Sequence, residues 1–240
     1  MKYLRKFYTE AEYAAFLEEA DVFKPSVCYV EETQKLYYNK AIVEGVYIQH
    51  LDGKLFTSEE WSAQGFAKED ANGVAIITND CQLLMNPMRI KDHTKWVDRD
   101  GLSVLGVLAT DDEALAKTDF NGIENTSLIY QQATEIGAIA PASALCKNYV
   151  FPNGETGYLG AAGEWGAVAK HGDKVVEAAR LLGNPYFNST GWVIWTSTQA
   201  SESKAWVVQW SASKAQFVFS TVYKTAGNNM TAYAFAPLNL

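Results

Sequence analysis

The residue types that most often perform chemistry are scattered through this chain. Its three histidines, His50, His93 and His171, are isolated, which disfavours a histidine metal site. The carboxylates of residues 111–113 stand together and could suggest a hydrolase pair, but they directly precede an Ala-Leu-Ala segment. Acidic side chains are favoured at the start of a helix by its dipole, so this position indicates a helix start. We therefore expect no catalytic residue, no metal site and no cofactor.

The cysteines point to a reducing compartment. Cys28, Cys81 and Cys146 are odd in number, far apart and without a CxxC motif, so we expect buried free thiols. The first ten residues lack the apolar core of a signal peptide, and no run of about 18 apolar residues occurs. We expect a protein made in the cytoplasm, without membrane insertion, that leaves a cell by lysis or a dedicated apparatus.

Composition indicates a folded protein that does not bind polyanions. The 240 residues are 48% hydrophobic and 20% charged, as in ordinary globular proteins. A net charge of -8 and no basic cluster disfavour nucleic acid and anionic membrane surfaces as partners.

Residues 1–42 are predicted to form a small helix-hairpin module for attachment or oligomerisation. Thr9-Glu10-Ala11-Glu12 has the spacing of a capping box, and the helix after it should end near Ala20, with Tyr13, Phe16 and Leu17 on one stripe. Two short apolar runs, Val27 to Val30 and Lys35 to Tyr38, are typical of a hairpin.

Residues 43–240 are predicted to form one α+β domain. Asp52-Gly53 indicates a hairpin between Val46–His50 and Lys54–Phe56, and Thr57 caps a short helix. Further strands are expected at 73–78, 82–85 and 102–110. Two helices are expected, one at 125–136 with Asn125 as its cap, the other from Gly163 to Leu182.

The last part of the chain has few charges and clear alternation. Residues 186–232 contain seven Ser and six Thr but only four charged residues. Trp206, Val208 and Trp210 alternate with Val207, Gln209 and Ser211, which predicts antiparallel strands with one face in the core. Four tryptophans fall on apolar phases and are expected in the core: Trp165, Trp195, Trp206 and Trp210.

We predict that the other face is a binding surface. Paratopes favour Tyr, Ser, Gly and Asn, whereas a merely solvated strand face usually carries Lys and Glu. The candidate ligand-binding residues share an expected outward position between 190 and 232: Trp192, Ser201, Ser203, Val207, Gln209, Ser211, Gln216, Val218, Ser220, Thr221, Tyr223, Asn228, Asn229, Met230 and Thr231.

Several segments together resemble a known fold family. They are Phe151-Pro152-Asn153-Gly154, Gly157 to Trp165, Trp195 to Gln199, Ala205-Trp206 and Tyr233 to Leu238. Their order over residues 43–240 is similar to the C-type-lectin-like fold in its bacterial and phage form, which includes the formylglycine-generating-enzyme/sulfatase-modifying group and Bacteroidales proteins. Some members are variable proteins of diversity-generating retroelements, such as the phage major tropism determinant. The resemblance implies two helices with short antiparallel sheets, and ligand recognition by the C-terminal strands and loops.

The chain also departs from these relatives. Cys146 has no second cysteine near it in sequence, and the Glu-Pro-Asn and Trp-Asn-Asp strings of calcium-dependent lectins are absent, so neither activity is expected. Ala234 stands where the family has Arg, so an internal ion pair is expected to be missing.

The N-terminal stretch resembles the openings of structural proteins of Bacteroidales phages. The resemblances together imply a phage or prophage tail-tip protein that binds a protein or glycan receptor on a bacterial surface and contacts other virion proteins through residues 1–42. They are compatible with a homotrimer. Two alternatives stay open: a structural virion or surface protein without a specific ligand, and an enzyme with an unrecognised site.

Overall fold

The fold is α+β, as the sequence predicts. A computed structural model describes residues 4–19, 26–31, 35–39 and 43–238. Contacts divide the chain between Glu44 and Gly45, two residues after the predicted boundary, into an N-terminal and a C-terminal unit. None of the described helices is long and apolar enough to cross a membrane.

The N-terminal unit contains one helix and a three-stranded sheet. Its elements are β1 (Leu4–Phe7), α1 (Glu10–Glu19), β2 (Ser26–Val30) and β3 (Lys35–Asn39). The predicted capping box is present, because the Glu12 backbone N–H donates to Thr9 Oγ1 over 3.2 Å and the Thr9 N–H donates to Glu12 Oε2 over 3.3 Å. The predicted hairpin pairs β2 with β3, and β1, which the sequence did not indicate, pairs parallel to β2.

The core of this small unit is aromatic. Tyr13 and Val30 are buried, with Phe7 and Phe16 packed against them. The side chains of Leu17 and Cys28, for which we predicted a place in the helix stripe and a buried thiol, lie outside the described residues.

The C-terminal unit contains two sheets. Its strands are β4 (Gly45–His50), β5 (Leu55–Phe56), β6 (Ala71–Ile77), β7 (Gln82–Met85), β8 (Lys91–Asp92), β9 (Tyr158–Leu159), β10 (Val193–Gln199), β11 (Lys204–Ser211), β12 (Gln216–Tyr223), β13 (Met230–Ala232) and β14 (Ala234–Pro237). One sheet has the order β5-β4-β6-β7-β14-β9, and the other β12-β11-β10-β13-β8. β12 is therefore an edge strand.

Six α-helices accompany these sheets. They are α2 (Ser58–Gln64), α3 (Glu113–Ala116), α4 (Gly122–Glu135), α5 (Pro141–Lys147), α6 (Ala162–Lys170) and α7 (Gly172–Leu181). Thr57 caps α2 as predicted. The carboxylates of residues 111–113 stand at the start of α3, also as predicted, and Asp112 is the N-cap. The main core lies between α6, α7 and the two sheets, where Trp165, Phe217 and Phe235 stack at tilted and edge-on angles.

Three predicted elements need correction. No strand forms at 102–110, because the Gln199 side chain bonds the backbone of Val104 and Val107 and leaves only an isolated bridge at Ala109. Helix α4 begins at Gly122, so Asn125 lies inside it and is not its cap. The predicted long helix at 163–182 is two helices with His171 between them.

Ala234, which stands where the proteins that the sequence resembles have Arg, is tightly enclosed. A Cβ atom added to Gly157 would lie 2.9 Å from the Ala234 Cβ, and the Ala234 carbonyl accepts the Asn86 N–H over 2.9 Å. The site is filled by neighbouring chain, so an arginine would not fit here without displacing that backbone.

Candidate functional site

The register of β11 and β12 shows which candidate residues share a face. Directly paired residues of antiparallel strands project to the same side. Gln209 pairs with Val218, Ser211 with Gln216, and Val207 with Ser220, so all six project to one side. We call the five of these that are exposed or half-exposed, Gln209, Ser211, Gln216, Val218 and Ser220, the β11–β12 face.

Three of the candidate ligand-binding residues are buried, so the prediction that they contact a ligand is corrected. Val207 is 0% exposed, Met230 3% and Thr231 0%. Val207 pairs with Trp195, whose indole N–H donates to the Thr94 carbonyl, so the segment near Thr94 covers this part of the sheet. Met230 and Thr231 belong to β13, an inner strand between β10 and β8.

The remaining candidates occupy two ends of the sheet. Ser201 and Ser203 lie in the β10–β11 loop, and Tyr223 pairs with Lys204 beside it. Tyr223 and Thr221 alternate with Ser220, so they project to the side opposite the β11–β12 face. A ligand that covers the β11–β12 face therefore does not meet the side chains of Thr221 and Tyr223, which project from the other side of the sheet.

Trp192 borders the other end of the β11–β12 face. Its ring lies 4.2 Å from the Arg89 guanidinium carbon and packs edge-on against His93. Asn229 is close by, since its N–H donates to His93 Nδ1 and its carbonyl accepts the Val193 N–H. Asn228 and Asn229 are exposed. Arg89 and His93 were missed from the sequence, which carries no local signal that joins them to Trp192.

A buried lysine positions the loops at the far end. Lys224 is 1% exposed, and its Nζ donates to the Leu102 carbonyl, Gln199 Oε1 and the Glu202 carbonyl over 2.6, 2.6 and 3.0 Å. The ammonium also lies 4.6 Å from the Trp96 ring centroid. Burial lowers the pKa of Lys224 to about 8. These bonds fix the β10–β11 loop and the start of the segment that carries Asn228.

A second buried polar cluster holds α6 against β10. Asp119 accepts from Asn125 Nδ2 over 2.8 Å and from Thr198 Oγ1 over 2.7 Å. Glu164, in the first turn of α6, accepts the Ala161 N–H and the Tyr158 hydroxyl over 2.6 and 2.9 Å. Burial raises the pKa of Glu164 to about 8. With every oxygen used inside the fold, this carboxyl has a structural role.

Other titratable groups do not converge on a site. Among the described residues no group of three His, Cys, Asp or Glu side chains could hold a metal ion. Cys146 is buried, as predicted, and burial raises its pKa. Cys81, which was also predicted to be buried, is only half-buried. Desolvation raises its pKa to about 11, which disfavours the reactive thiolate at neutral pH.

Comparisons with known proteins bear on the fold alone. No protein-family profile and no curated protein sequence matches the chain. A solved structure does match: a fimbrial protein from Bacteroides ovatus ATCC 8483, with a TM-score of 0.52 and 12% sequence identity over 87% of this chain and 51% of that one. The chain thus spans about half the length of the fimbrial protein.

Proposed function

We propose that the C-terminal unit is a recognition domain of the C-type-lectin-like type. It binds a protein or glycan receptor on a bacterial surface through the β11–β12 face, with Trp192, Asn228 and Asn229 at the border of the site. The N-terminal unit attaches this domain to a larger assembly. Homotrimerisation would add avidity to weak individual sites.

The observation that carries this proposal is the composition of the β11–β12 face. Three consecutive cross-strand pairs place uncharged Gln, Ser and Val side chains together, and neither strand contributes a Lys or Glu to this side. A strand face that only meets water usually carries such charges, which keep it soluble. Hydroxyl and amide groups around one valine offer adaptable hydrogen bonds and a small apolar contact.

A second candidate is a structural domain of a surface filament. The fold match to a fimbrial protein favours it, and on this account the β11–β12 face needs no specific receptor. A filament location is also compatible with the recognition function, since an adhesive domain is useful at the end of a fibre. The two candidates therefore differ in whether a receptor binds.

Binding to an array of bacterial capsular glycans, lipopolysaccharides and outer-membrane proteins tests the proposal. Ser220→Lys places a charge in the centre of the β11–β12 face, and Ser127→Lys places the same charge on exposed α4 as the matched control. We expect wild type and Ser127→Lys to bind the same component and Ser220→Lys to lose at least tenfold in affinity. Absence of binding to every component, or equal loss in both variants, favours the structural candidate.

We propose further that a retroelement diversifies this domain and that a phage or prophage tail carries it. Sequencing the gene and its flanks from several isolates tests both statements. Expected are a nearby reverse transcriptase, a near-copy of the 3′ end, adjoining tail genes and changes confined to adenine-templated codons after residue 190. A lone gene with even drift along its length overturns the diversification.

A further inference from the structure

The outer edge of β12 carries several backbone groups that make no hydrogen bond to any residue the structure describes. Lys224 N–H donates to the Ser203 carbonyl over 2.9 Å, so pairs two residues apart in this register, such as 205–222 and 207–220, also bond β12 to β11. The intervening residues, Phe217, Phe219, Thr221 and Tyr223, therefore turn their N–H and C=O groups away from β11.

Within the described part of the chain these outward groups have almost no partner. Only the Tyr223 carbonyl is used, by the Ala226 N–H over 2.9 Å, and no other bond to the outward backbone of Phe217, Phe219 or Thr221 is present. Edge strands are normally protected by charges, proline, bulges or short length. β12 has eight residues, an unbroken register, no proline and no charged residue.

An open cleft of about 550 Å³ lies beside this edge. Phe217 and Phe219 form one wall, and Gly163, Gly166 and Ala167 of α6 form another. Lys117 also lines the cleft, with its Nζ 4.2 Å from the Phe219 ring centroid and 2.6 Å from Glu113 Oε1. Asp80 and Lys170 line it too and pair with each other over 2.6 Å. The small residues of α6 leave room for a foreign apolar side chain against the phenylalanine rings.

We propose that an extended peptide segment of another protein adds to β12 as a sixth strand and inserts an apolar side chain into this cleft. Backbone N–H and C=O groups in a row are matched best by another strand, and alternate side chains of that strand lie on the side of Phe217 and Phe219. The cleft then selects an apolar residue at one of these positions.

A bare peptide fits this edge better than a second copy of the chain. Two β12 strands paired about a twofold axis would lie about 5 Å apart with both clefts on the same side. The two chain segments that carry Lys117 and Glu113 would then crowd above one narrow strip. An isolated extended peptide has no attached domain that would clash with the residues around the cleft.

This inference does not depend on the receptor proposal, because it uses the backbone edge of β12 and the side that carries Phe217 and Phe219; Gln216, at the first position of β12, borders both sites. The probe is a library of random heptapeptides selected on the immobilised full chain, followed by synthesis of enriched members. Thr221→Pro removes one outward N–H and keeps the hydrogen bonds between β11 and β12. Edge strands tolerate proline at such a position, where the N–H faces away from the sheet. Gly166→Leu fills the cleft, and Gly166→Ala is its control, since the nearest atom to an added Cβ is Lys117 Cγ at 3.9 Å.

We expect enriched peptides with apolar residues at alternate positions. Thr221→Pro should weaken their binding at least about fivefold, the effect of one hydrogen bond. Gly166→Leu should weaken it more than tenfold, with no change for Gly166→Ala or for Ser220→Lys, which separates this site from the proposed receptor face. No enrichment, equal binding to Gly166→Leu, or a wild-type dimer that Thr221→Pro dissociates overturns the proposal. Gly166→Leu keeps the test valid if Thr221→Pro does not fold.

Discussion

Replacement of Lys224 by methionine tests how the loops around the sheet are positioned. Methionine keeps the apolar part of the side chain, ends one atom short of the Nζ position and removes the donor. The Leu102 and Glu202 carbonyls then lose the bonds from Nζ, whereas Gln199 Oε1 keeps its bond from the Val104 N–H over 2.9 Å. The substitution therefore removes a hydrogen bond from two backbone carbonyls and from no other acceptor that lacks a second donor.

The expected cost follows from those two acceptors. A buried polar group left without a partner costs about 1–3 kcal/mol. The substitution also removes the desolvation cost of a buried ammonium group, which offsets part of the cost of the two unbonded carbonyls. We expect Lys224→Met to lower the free energy of unfolding by about 2–4 kcal/mol at pH 7.

The pH dependence gives a second readout with a definite sign. Burial lowers the pKa of Lys224 from its usual 10.5 to about 8, so between these values the unfolded chain binds more protons than the folded one. Wild-type stability should therefore rise relative to Lys224→Met as pH increases from 8 to 10, by up to about 1.4 kcal/mol per unit.

Urea unfolding followed by tryptophan fluorescence at pH 7, 8, 9 and 10 measures both effects. The difference between wild type and Lys224→Met removes contributions from groups common to both proteins. A loss below about 0.5 kcal/mol at pH 7, the level of ordinary surface substitutions, would refute the reasoning. So would a difference that shrinks as pH rises from 8 to 10.

Three further predictions concern α6 and the borders of the site. Gly163→Ala should destabilise by more than about 2 kcal/mol in urea unfolding, because the added Cβ would lie 2.5 Å from the Asp119 carbonyl oxygen, whereas Gly166→Ala should stabilise by about 0.5–1 kcal/mol; equal effects would contradict this. The raised pKa of Glu164 means that the folded chain binds more protons between pH 4.5 and 8, so stability should fall as pH rises through this window, and Glu164→Gln should flatten the profile; parallel profiles would contradict it. Tyr223 is 58% exposed, so Tyr223→Ala should lower the free energy of unfolding by less than about 1 kcal/mol and leave receptor binding unchanged. Trp192→Ala should lower it by about 1–2 kcal/mol and weaken receptor binding, because it removes the contact with Arg89. Calorimetry measures the stability and the array measures the binding.

Local features were predictable from sequence because neighbouring residues determine them. The sequence predicted the Thr57 cap, the helix start at the carboxylates of residues 111–113 and the β4–β5 hairpin, and all three are present. The alternation of Trp206, Val208 and Trp210 also placed these side chains correctly in the core.

Features that depend on distant residues were not predictable. The alternation of β11 places Val207 on the outward side, yet Val207 is buried. The segment near Thr94 covers it, held there by the hydrogen bond from the indole of Trp195, which is about one hundred residues away from Thr94 in sequence. The apolar sequence of residues 102–110 predicts a strand, but the Gln199 side chain forms hydrogen bonds with the backbone of this loop instead.

The division of the candidate set by face could have been predicted in part. Ser220 and Thr221 are neighbours in one strand, so alternation alone places them on opposite sides. The cluster of Arg89, His93 and Trp192 had no such signal, because it forms only when β8 and β10 enter the same sheet.

Chemical-shift mapping with an array component that binds would test the central claim most directly. Backbone amide signals of the isotope-labelled chain are followed while that component is added. We predict that the largest shifts cluster at Gln209, Ser211, Val218 and Ser220, with smaller ones near Trp192, and that Ser220→Lys abolishes them. Shifts centred elsewhere, for example on the exposed side of α4, would contradict the assignment of the β11–β12 face as the receptor site.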